Sequence, residues 1–154
     1  MSINYNNKVK INRPSWDEYF INIAEVISTR SHDAETKVGA VIIDINKRIL
    51  STGYNGFPSG YDDSKLPNLR PDKYPFMVHA EMNAIIYAKQ SLQDCTIYTT
   101  HSPCKDCVKA IISSGIKSII FKHPYINDDF ELIKNITKIY GLEFKLYDQE
   151  LSPI

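Results

Sequence analysis

The chain has 154 residues, of which 43% are hydrophobic and 23% charged, values typical of one folded domain and not of a disordered or collagen-like chain. Its 18 Lys and Arg residues balance 18 Asp and Glu residues, and this neutrality disfavours a nucleic acid polymer as partner, because proteins that bind such polymers usually carry a basic excess. No apolar run approaches the roughly 20 residues of a membrane-spanning helix, and the polar N-terminus carries no export signal, so we expect a cytoplasmic protein with no membrane partner.

The first predicted elements are a helix and a hairpin. After a polar arm at residues 1–12, Ser15 with Glu18 three residues later has the pattern of a helix N-cap, which predicts a helix up to about Arg30. Two apolar, β-branched runs at residues 38–44 and 49–54 predict strands joined by a turn. Residues 55–77 are rich in Gly, Pro, Asn and Asp, which predicts a long loop of the kind that is often functional.

The rest of the chain alternates helices with strands. Helices are predicted at residues 79–89, 104–114 and 128–140, and strands at 95–100, 117–121 and 142–147. This alternation predicts a single α/β domain over residues 1–154, in which a five-stranded mixed sheet lies between helices on both faces in a three-layer α/β/α arrangement. The first two strands should pair antiparallel, and the later ones should join through right-handed crossovers.

Two short motifs at the starts of predicted helices indicate a metal site. His79 and Glu81 lie in one motif, and Cys104 and Cys107 lie in the other at positions i and i+3, which share one helical face. Catalytic zinc takes three protein ligands and keeps one position for water. Two thiolates and a neutral imidazole would balance the charge of the ion, and Glu81 beside the activated water could move protons.

Each motif alone is weak evidence, and alternatives stay open. A lone pair of cysteines three apart is as often a structural zinc site as a catalytic or redox one. A closed structural site would need a fourth protein ligand, for which His101 is the strongest candidate. The two motifs together form the zinc nucleobase deaminase signature, which favours the catalytic interpretation. Cys95 is expected to be a small buried apolar residue.

The chain also resembles a known family beyond these motifs, from about residue 13 to about residue 147. RPSWDEYF at residues 13–20, KVGAVI at 37–42, GYNGFPSGYDD at 53–63, HAEMNAI at 79–85, SPCKDC at 102–107 and SGIKSIIF at 114–121 carry the resemblance. HAE and PCxxC are shared with tRNA adenosine, guanine and riboflavin-pathway deaminases. RPSWDEYF together with GYNGxPxG narrows the resemblance to the deoxycytidylate (dCMP) deaminase branch of the cytidine and deoxycytidylate deaminase superfamily.

The resemblance implies a cytidine-deaminase-like fold and a zinc-dependent hydrolysis of dCMP to dUMP and ammonia, which would supply dUMP for dTMP synthesis. His79, Cys104 and Cys107 would hold one catalytic zinc per chain. Glu81 would pass a proton from the attacking water to N3 of the pyrimidine and then protonate the departing amine. The residues that the resemblance assigns to substrate binding are Asn55, Arg30, Tyr125, Ala80 and Ser102, with Arg30 and Tyr125 on the 5′-phosphate.

The resemblance also implies regulation of a homohexamer, activated by dCTP with Mg²⁺ and inhibited by dTTP. The regulatory nucleotide would use Asn55, Gly56, Asp62 and Asp63. Two alternatives belong to other classes of protein: a deaminase of another free or polymeric nucleobase with the same centre, and a non-catalytic zinc module that binds nucleotides or partners.

Overall fold

The computed structural model describes residues 2–150, so the predicted domain limits at residues 1 and 154 lie outside the described part. All predicted helices and strands are present in the predicted order, and a short 3₁₀ helix (Asp63–Lys65) interrupts the long loop. No helix within residues 2–150 combines the length and the apolar character needed to cross a membrane. The elements are α1 (Trp16–Ser28), β1 (Gly39–Ile43), β2 (Ile49–Tyr54), α2 (Ala80–Tyr87), β3 (Thr96–His101), α3 (Lys105–Ser113), β4 (Ser118–His123), α4 (Asp128–Ile139) and β5 (Glu143–Leu146).

The five strands form one mixed sheet in the order β2-β1-β3-β4-β5, which confirms the predicted sheet. β1 pairs antiparallel with both β2 and β3, and Ala40 lies opposite Gly53 on one side and Thr99 on the other. β3 pairs parallel with β4, and β4 with β5. The carboxyl ends of β2, β3, β4 and β5 therefore lie at one edge of the sheet, next to the start of β1. In open α/β sheets this edge is where ligands bind.

Helices cover both faces of the sheet, which confirms the three-layer arrangement. The face with α1 buries Phe20, Ile21 and Ala24 against β1, β3 and β4. The opposite face carries α2, α3 and α4 and has the larger core. Alternate residues of the same strand enter the two cores, as the pleat of a strand requires. The larger core contains Ala40, Ile42, Ala80, Ala84, Leu92, Cys95, Ile97, Val108, Ile111, Ile116, Ile119, Phe121, Ile133 and Leu142.

The backbone of α2 touches β2 directly at Gly53. A Cβ on Gly53 would press against the carbonyl oxygen of Ala80 and would lie 2.5 Å from the backbone nitrogen of Ala84. Only glycine lets the first turn of α2 approach the strand so closely. The position of β2 therefore determines where α2 begins.

We expect Gly53→Ala to destabilise the fold by roughly 1–3 kcal/mol or more, because the added methyl group must push the α2 backbone off the strand. Gly56→Ala is the matched control, since its Cβ would meet only the ring of Tyr54 at 3.4 Å. Denaturant unfolding of both variants measures the difference. Equal free energies of unfolding for the two variants would contradict the close packing of α2 on β2.

Candidate metal centre and substrate cavity

Two helices begin at the centre of the site with unusual capping residues. His79 is the N-cap of α2 and Cys104 is the N-cap of α3, and neither side chain makes a capping hydrogen bond. Ser, Thr, Asp and Asn are the usual N-caps because their side chains accept from the first-turn N–H groups. Here both N-cap side chains point toward each other, so their ligand atoms remain available for another purpose.

The ligand atoms of His79, Cys104 and Cys107 form a compact cluster. His79 Nδ1 lies 3.5 Å from Cys104 Sγ and 3.4 Å from Cys107 Sγ, and all three ligand atoms lie within 4.8 Å of one another. A tetrahedral zinc ion with its usual bonds to nitrogen and sulfur holds those atoms roughly 3.5 Å apart. The cluster therefore fits zinc, and three protein ligands match the open type of site rather than the closed structural type.

Hydrogen bonding within the cluster favours an ionised sulfur. The hydrogen bond with Cys107 lowers the pKa of Cys104 to about 4, with His79 contributing in the same direction against the effect of burial. The same interaction raises the pKa of Cys107, and the hydrogen bond with Cys104 raises the pKa of His79. A thiolate at the start of α3 is also stabilised by the N–H groups of the helix. One thiolate ligand is thus already favoured in the metal-free chain.

Glu81 lies in the first turn of α2 beside the cluster and is 4% exposed. Burial raises the pKa of its carboxyl group, because removal from water disfavours the charged form. A carboxyl group with a raised pKa can both accept and return a proton near neutral pH. Its position and its protonation behaviour suit a group that moves protons next to the metal.

A cavity of about 220 Å³ opens over the cluster, at the edge of the sheet where the strand carboxyl ends meet. Most of the sequence-predicted site residues line it. They come from the start of α2, the end of β2, the β3–α3 connection and the segment after β4. Those lining residues are Asn55, His79, Ala80, Glu81, Ser102, Cys104 and Tyr125.

Ser102 and His101 position Tyr125 at the cavity wall. The Tyr125 backbone N–H donates to Ser102 Oγ at 2.7 Å, and the Tyr125 ring stacks on the His101 ring with centroids 5.2 Å apart. His101 Nδ1 hydrogen-bonds Thr100 Oγ1 at 2.9 Å. His101, the candidate fourth ligand of a structural zinc site, is thus engaged with Tyr125 and Thr100, and the ligand cluster consists of the other three residues.

The remaining sequence-predicted residues lie outside the cavity lining. Arg30 is exposed just after α1, where its backbone N–H donates to Ile27. Asp62 and Asp63 are exposed at the 3₁₀ helix, and Asp62 caps that helix through Ser64. Gly56 is buried and pairs with Val78 in an isolated β-bridge, so it fastens the long loop to the segment before α2.

Sequence reasoning missed several polar residues that line the cavity. Arg70 and Lys73 come from the long loop, and Asp33 and Thr36 come from the segment between α1 and β1. Arg70 Nη2 donates to Thr36 Oγ1 at 3.2 Å. Burial raises the pKa of Tyr125. The hydrogen bond with Thr36 and the positive charge of Arg70 partly lower this pKa again, so both residues lie close to Tyr125. The sequence shows that the loop contains cations, but no local pattern predicts the path of the loop, so Arg70 and Lys73 could not be placed at the cavity.

Comparisons with known proteins match the part of the chain that contains the metal cluster and most of the cavity wall. The cytidine and deoxycytidylate deaminase zinc-binding region matches residues 14–123, which include the metal cluster and Glu81. Deoxycytidylate deaminase of Mus musculus is 35% identical over 148 residues, which cover 90% of this chain and 83% of the relative. Deoxycytidylate deaminase of Mycobacterium phage D29 is 36% identical over 125 residues, which cover 72% of this chain and 97% of the relative. The crystal structure of dCMP deaminase from cyanophage S-TIM5 in complex with dCMP and dUMP superposes with a TM-score of 0.74 at 30% identity, covering 89% of this chain and 100% of that chain.

We expect the purified chain to hold about one zinc ion. Cys104→Ala should reduce the bound zinc to below about a tenth of an equivalent. It should also lower the melting temperature, because metal binding is coupled to folding. Cys95→Ala is the matched control: this buried cysteine packs in the larger core and should retain the metal. Elemental analysis after dialysis gives the stoichiometry. Equal zinc content in Cys104→Ala and the wild type would refute the ligand assignment.

Proposed function

The chain belongs to the cytidine and deoxycytidylate deaminase family, and on that premise we propose that it hydrolyses dCMP to dUMP and ammonia and so supplies dUMP for dTMP synthesis. The observation that carries this proposal is the open His79, Cys104 and Cys107 cluster with a buried carboxyl group, Glu81, beside it in one cavity. The nucleotides named in the cyanophage complex, dCMP and dUMP, support the choice of substrate.

The residues of the cluster would hold zinc, which supplies a water activated for nucleophilic attack at neutral pH. Glu81 accepts a proton from that water and delivers it to N3 of the pyrimidine ring. The oxygen of the attacking water bonds to C4, and Glu81 then moves the second proton from this oxygen to the amine, so that the C4–N bond breaks and ammonia leaves. One carboxyl group can make both transfers, because its raised pKa lets it exist in either protonation state.

The rest of the cavity would bind the nucleotide. We propose that Asn55 contacts the sugar and that Ala80 and Ser102 contact the base. Tyr125 and Arg30 are the phosphate contacts that the resemblance implies. The cavity adds Arg70, whose guanidinium group lies at the wall beside Thr36 and has a planar fork of donors that matches phosphate.

We expect Glu81→Gln to keep its zinc and to lower kcat for dCMP by roughly 10²–10⁴-fold, because proton transfer by a positioned group contributes about that much. Glu131→Gln, which removes an exposed carboxylate from α4, is the control. Ammonia release and metal content are measured on both. Undiminished turnover in Glu81→Gln would refute the mechanism, and a wild-type chain with zinc but no deamination of any nucleobase would favour the non-catalytic zinc module.

The contact with the 5′-phosphate has its own test. Arg70→Ala should raise the KM for dCMP at least roughly tenfold while leaving the KM for unphosphorylated deoxycytidine almost unchanged, because a charge-assisted contact to phosphate is lost. Arg30→Ala, measured in parallel, shows whether the resemblance or the cavity identifies the correct arginine. If a variant weakens both substrates equally, its arginine is not a phosphate contact. Activity on an oligonucleotide in place of dCMP would favour the polymeric alternative.

We also propose regulation by nucleotides in a homohexamer, with dCTP and Mg²⁺ as activator and dTTP as inhibitor. The support is the resemblance of residues 53–63, together with the exposure of Asp62 and Asp63. Hydrogen bonds from Ser64 lower the pKa of Asp62, which keeps a carboxylate available to a magnesium ion at neutral pH. Asn55 and Gly56 would link this loop to the cavity. The ammonia assay with and without each effector tests the regulation, and sedimentation analysis tests the assembly.

A further inference from the structure

Lys73 is the most completely buried cation that lines the cavity. The residue is 2% exposed, and its Nζ donates to both carboxylate oxygens of Asp33 at 2.7 and 2.8 Å and pairs with Glu35 Oε2 at 3.0 Å. All three N–H bonds of the ammonium group thus have acidic acceptors. Burial works to lower the pKa of Lys73, but these hydrogen bonds outweigh it and raise the pKa, so the group stays charged. A buried charge this fully paired is costly to disturb.

Asp33 connects Lys73 to Asn55. Its Oδ1 also accepts from the backbone N–H groups of Glu35 and Thr36 at 2.8 and 2.9 Å, and its Oδ2 accepts from Asn55 Nδ2 at 3.3 Å. A cation on one side of the carboxylate and an amide on the other hold it in one orientation. The long loop, which carries Lys73, is thereby joined to the end of β2, which carries Asn55.

The Asn55 side chain uses most of its hydrogen-bonding capacity inside the protein. Its Nδ2 donates to Asp33 Oδ2 and to the Thr36 carbonyl oxygen at 2.8 Å, and its Oδ1 accepts from the Val38 N–H at 2.7 Å. A carboxamide has two donors and a carbonyl oxygen with two lone pairs. The one remaining position is therefore an acceptor lone pair on Oδ1. A ligand group that contacts Asn55 in this orientation must be a donor.

We propose that Lys73 is a positioning residue: through Asp33 it fixes the Asn55 carboxamide with Oδ1 as the acceptor for the single free hydroxyl of a deoxynucleoside monophosphate. This inference rests on the proposed function, since dCMP has one free sugar hydroxyl, at the 3′ position. Without the cation, Asp33 would keep its N–H donors but would be a buried carboxylate with no opposite charge beside it, which favours a shift of its side chain. Asn55 Nδ2 would then keep only the Thr36 carbonyl as acceptor, and the carboxamide would be held less firmly in the orientation that leaves Oδ1 as the acceptor.

The test compares dCMP with 2′,3′-dideoxycytidine monophosphate, which lacks the 3′-hydroxyl. Lys73→Met should lower kcat/KM for dCMP about tenfold, the effect of one lost hydrogen bond, and should change kcat/KM for the dideoxy analogue less than about twofold. Lys73→Arg keeps the positive charge and should recover part of the loss. Lys65→Met, which removes an exposed cation from the same loop, is the matched control and should behave as the wild type on both substrates.

A folding defect is separated from a positioning defect by the double variant Asp33→Asn with Lys73→Met, which leaves no unpaired buried charge. If Lys73→Met does not fold, this variant is measured instead. A loss confined to dCMP in either variant supports the proposal. Equal losses on both substrates, or no loss, would overturn it. A wild-type chain that deaminates neither nucleotide would instead refute the proposed function, and that outcome is visible before any variant is made.

Discussion

The site depends on two helices that begin at the same edge of one sheet. α2 starts where Gly53 allows its backbone to touch β2, and α3 starts just after β3, so His79 and Cys104 meet as N-caps within 3.5 Å. A cluster built this way needs no loop of its own to hold the ligands. The starts of the two helices place the three candidate metal ligands, and the connecting segments around them form other parts of the cavity wall.

The cluster and Glu81 have environments that favour opposite protonation states. The two sulfur atoms and the imidazole share hydrogen bonds that favour a thiolate at Cys104, whereas burial favours the neutral form of Glu81 in the first turn of α2. Two acidic groups in one small site would repel each other if both were ionised. Under the proposed function, these separate environments would divide the roles of ligand and proton carrier between Cys104 and Glu81, as paired titratable groups in active sites commonly do.

The order of the elements was predictable because each depends on local pattern. Runs of apolar, β-branched residues predict the first strands, and Ser15 accepts a capping hydrogen bond from the Glu18 N–H as predicted. The metal ligands were predictable because their spacing is itself the chemical signal. The cavity wall was not, because the partner of Lys73 lies 40 residues earlier in the chain and nothing local to either residue shows the pairing. For the same reason no local pattern indicated that the loop brings Arg70 to the cavity, and the phosphate role of the exposed Arg30 stays a prediction.

Charge pairing distinguishes the two cations that the long loop brings to the cavity, Arg70 and Lys73. Lys73 is bound by Asp33 and Glu35 at hydrogen-bond distance, so its charge is already used within the protein. Arg70 lies 3.7 Å from Glu35 and 47% of its side chain is exposed, so its guanidinium group is held less tightly than the Lys73 ammonium group. Under the proposed function, Arg70 would meet the phosphate of the substrate, whereas Lys73 would act on the shape of the site. One such contact would let a chain of zero net charge bind a phosphate without the basic surface that would also attract nucleic acid polymers.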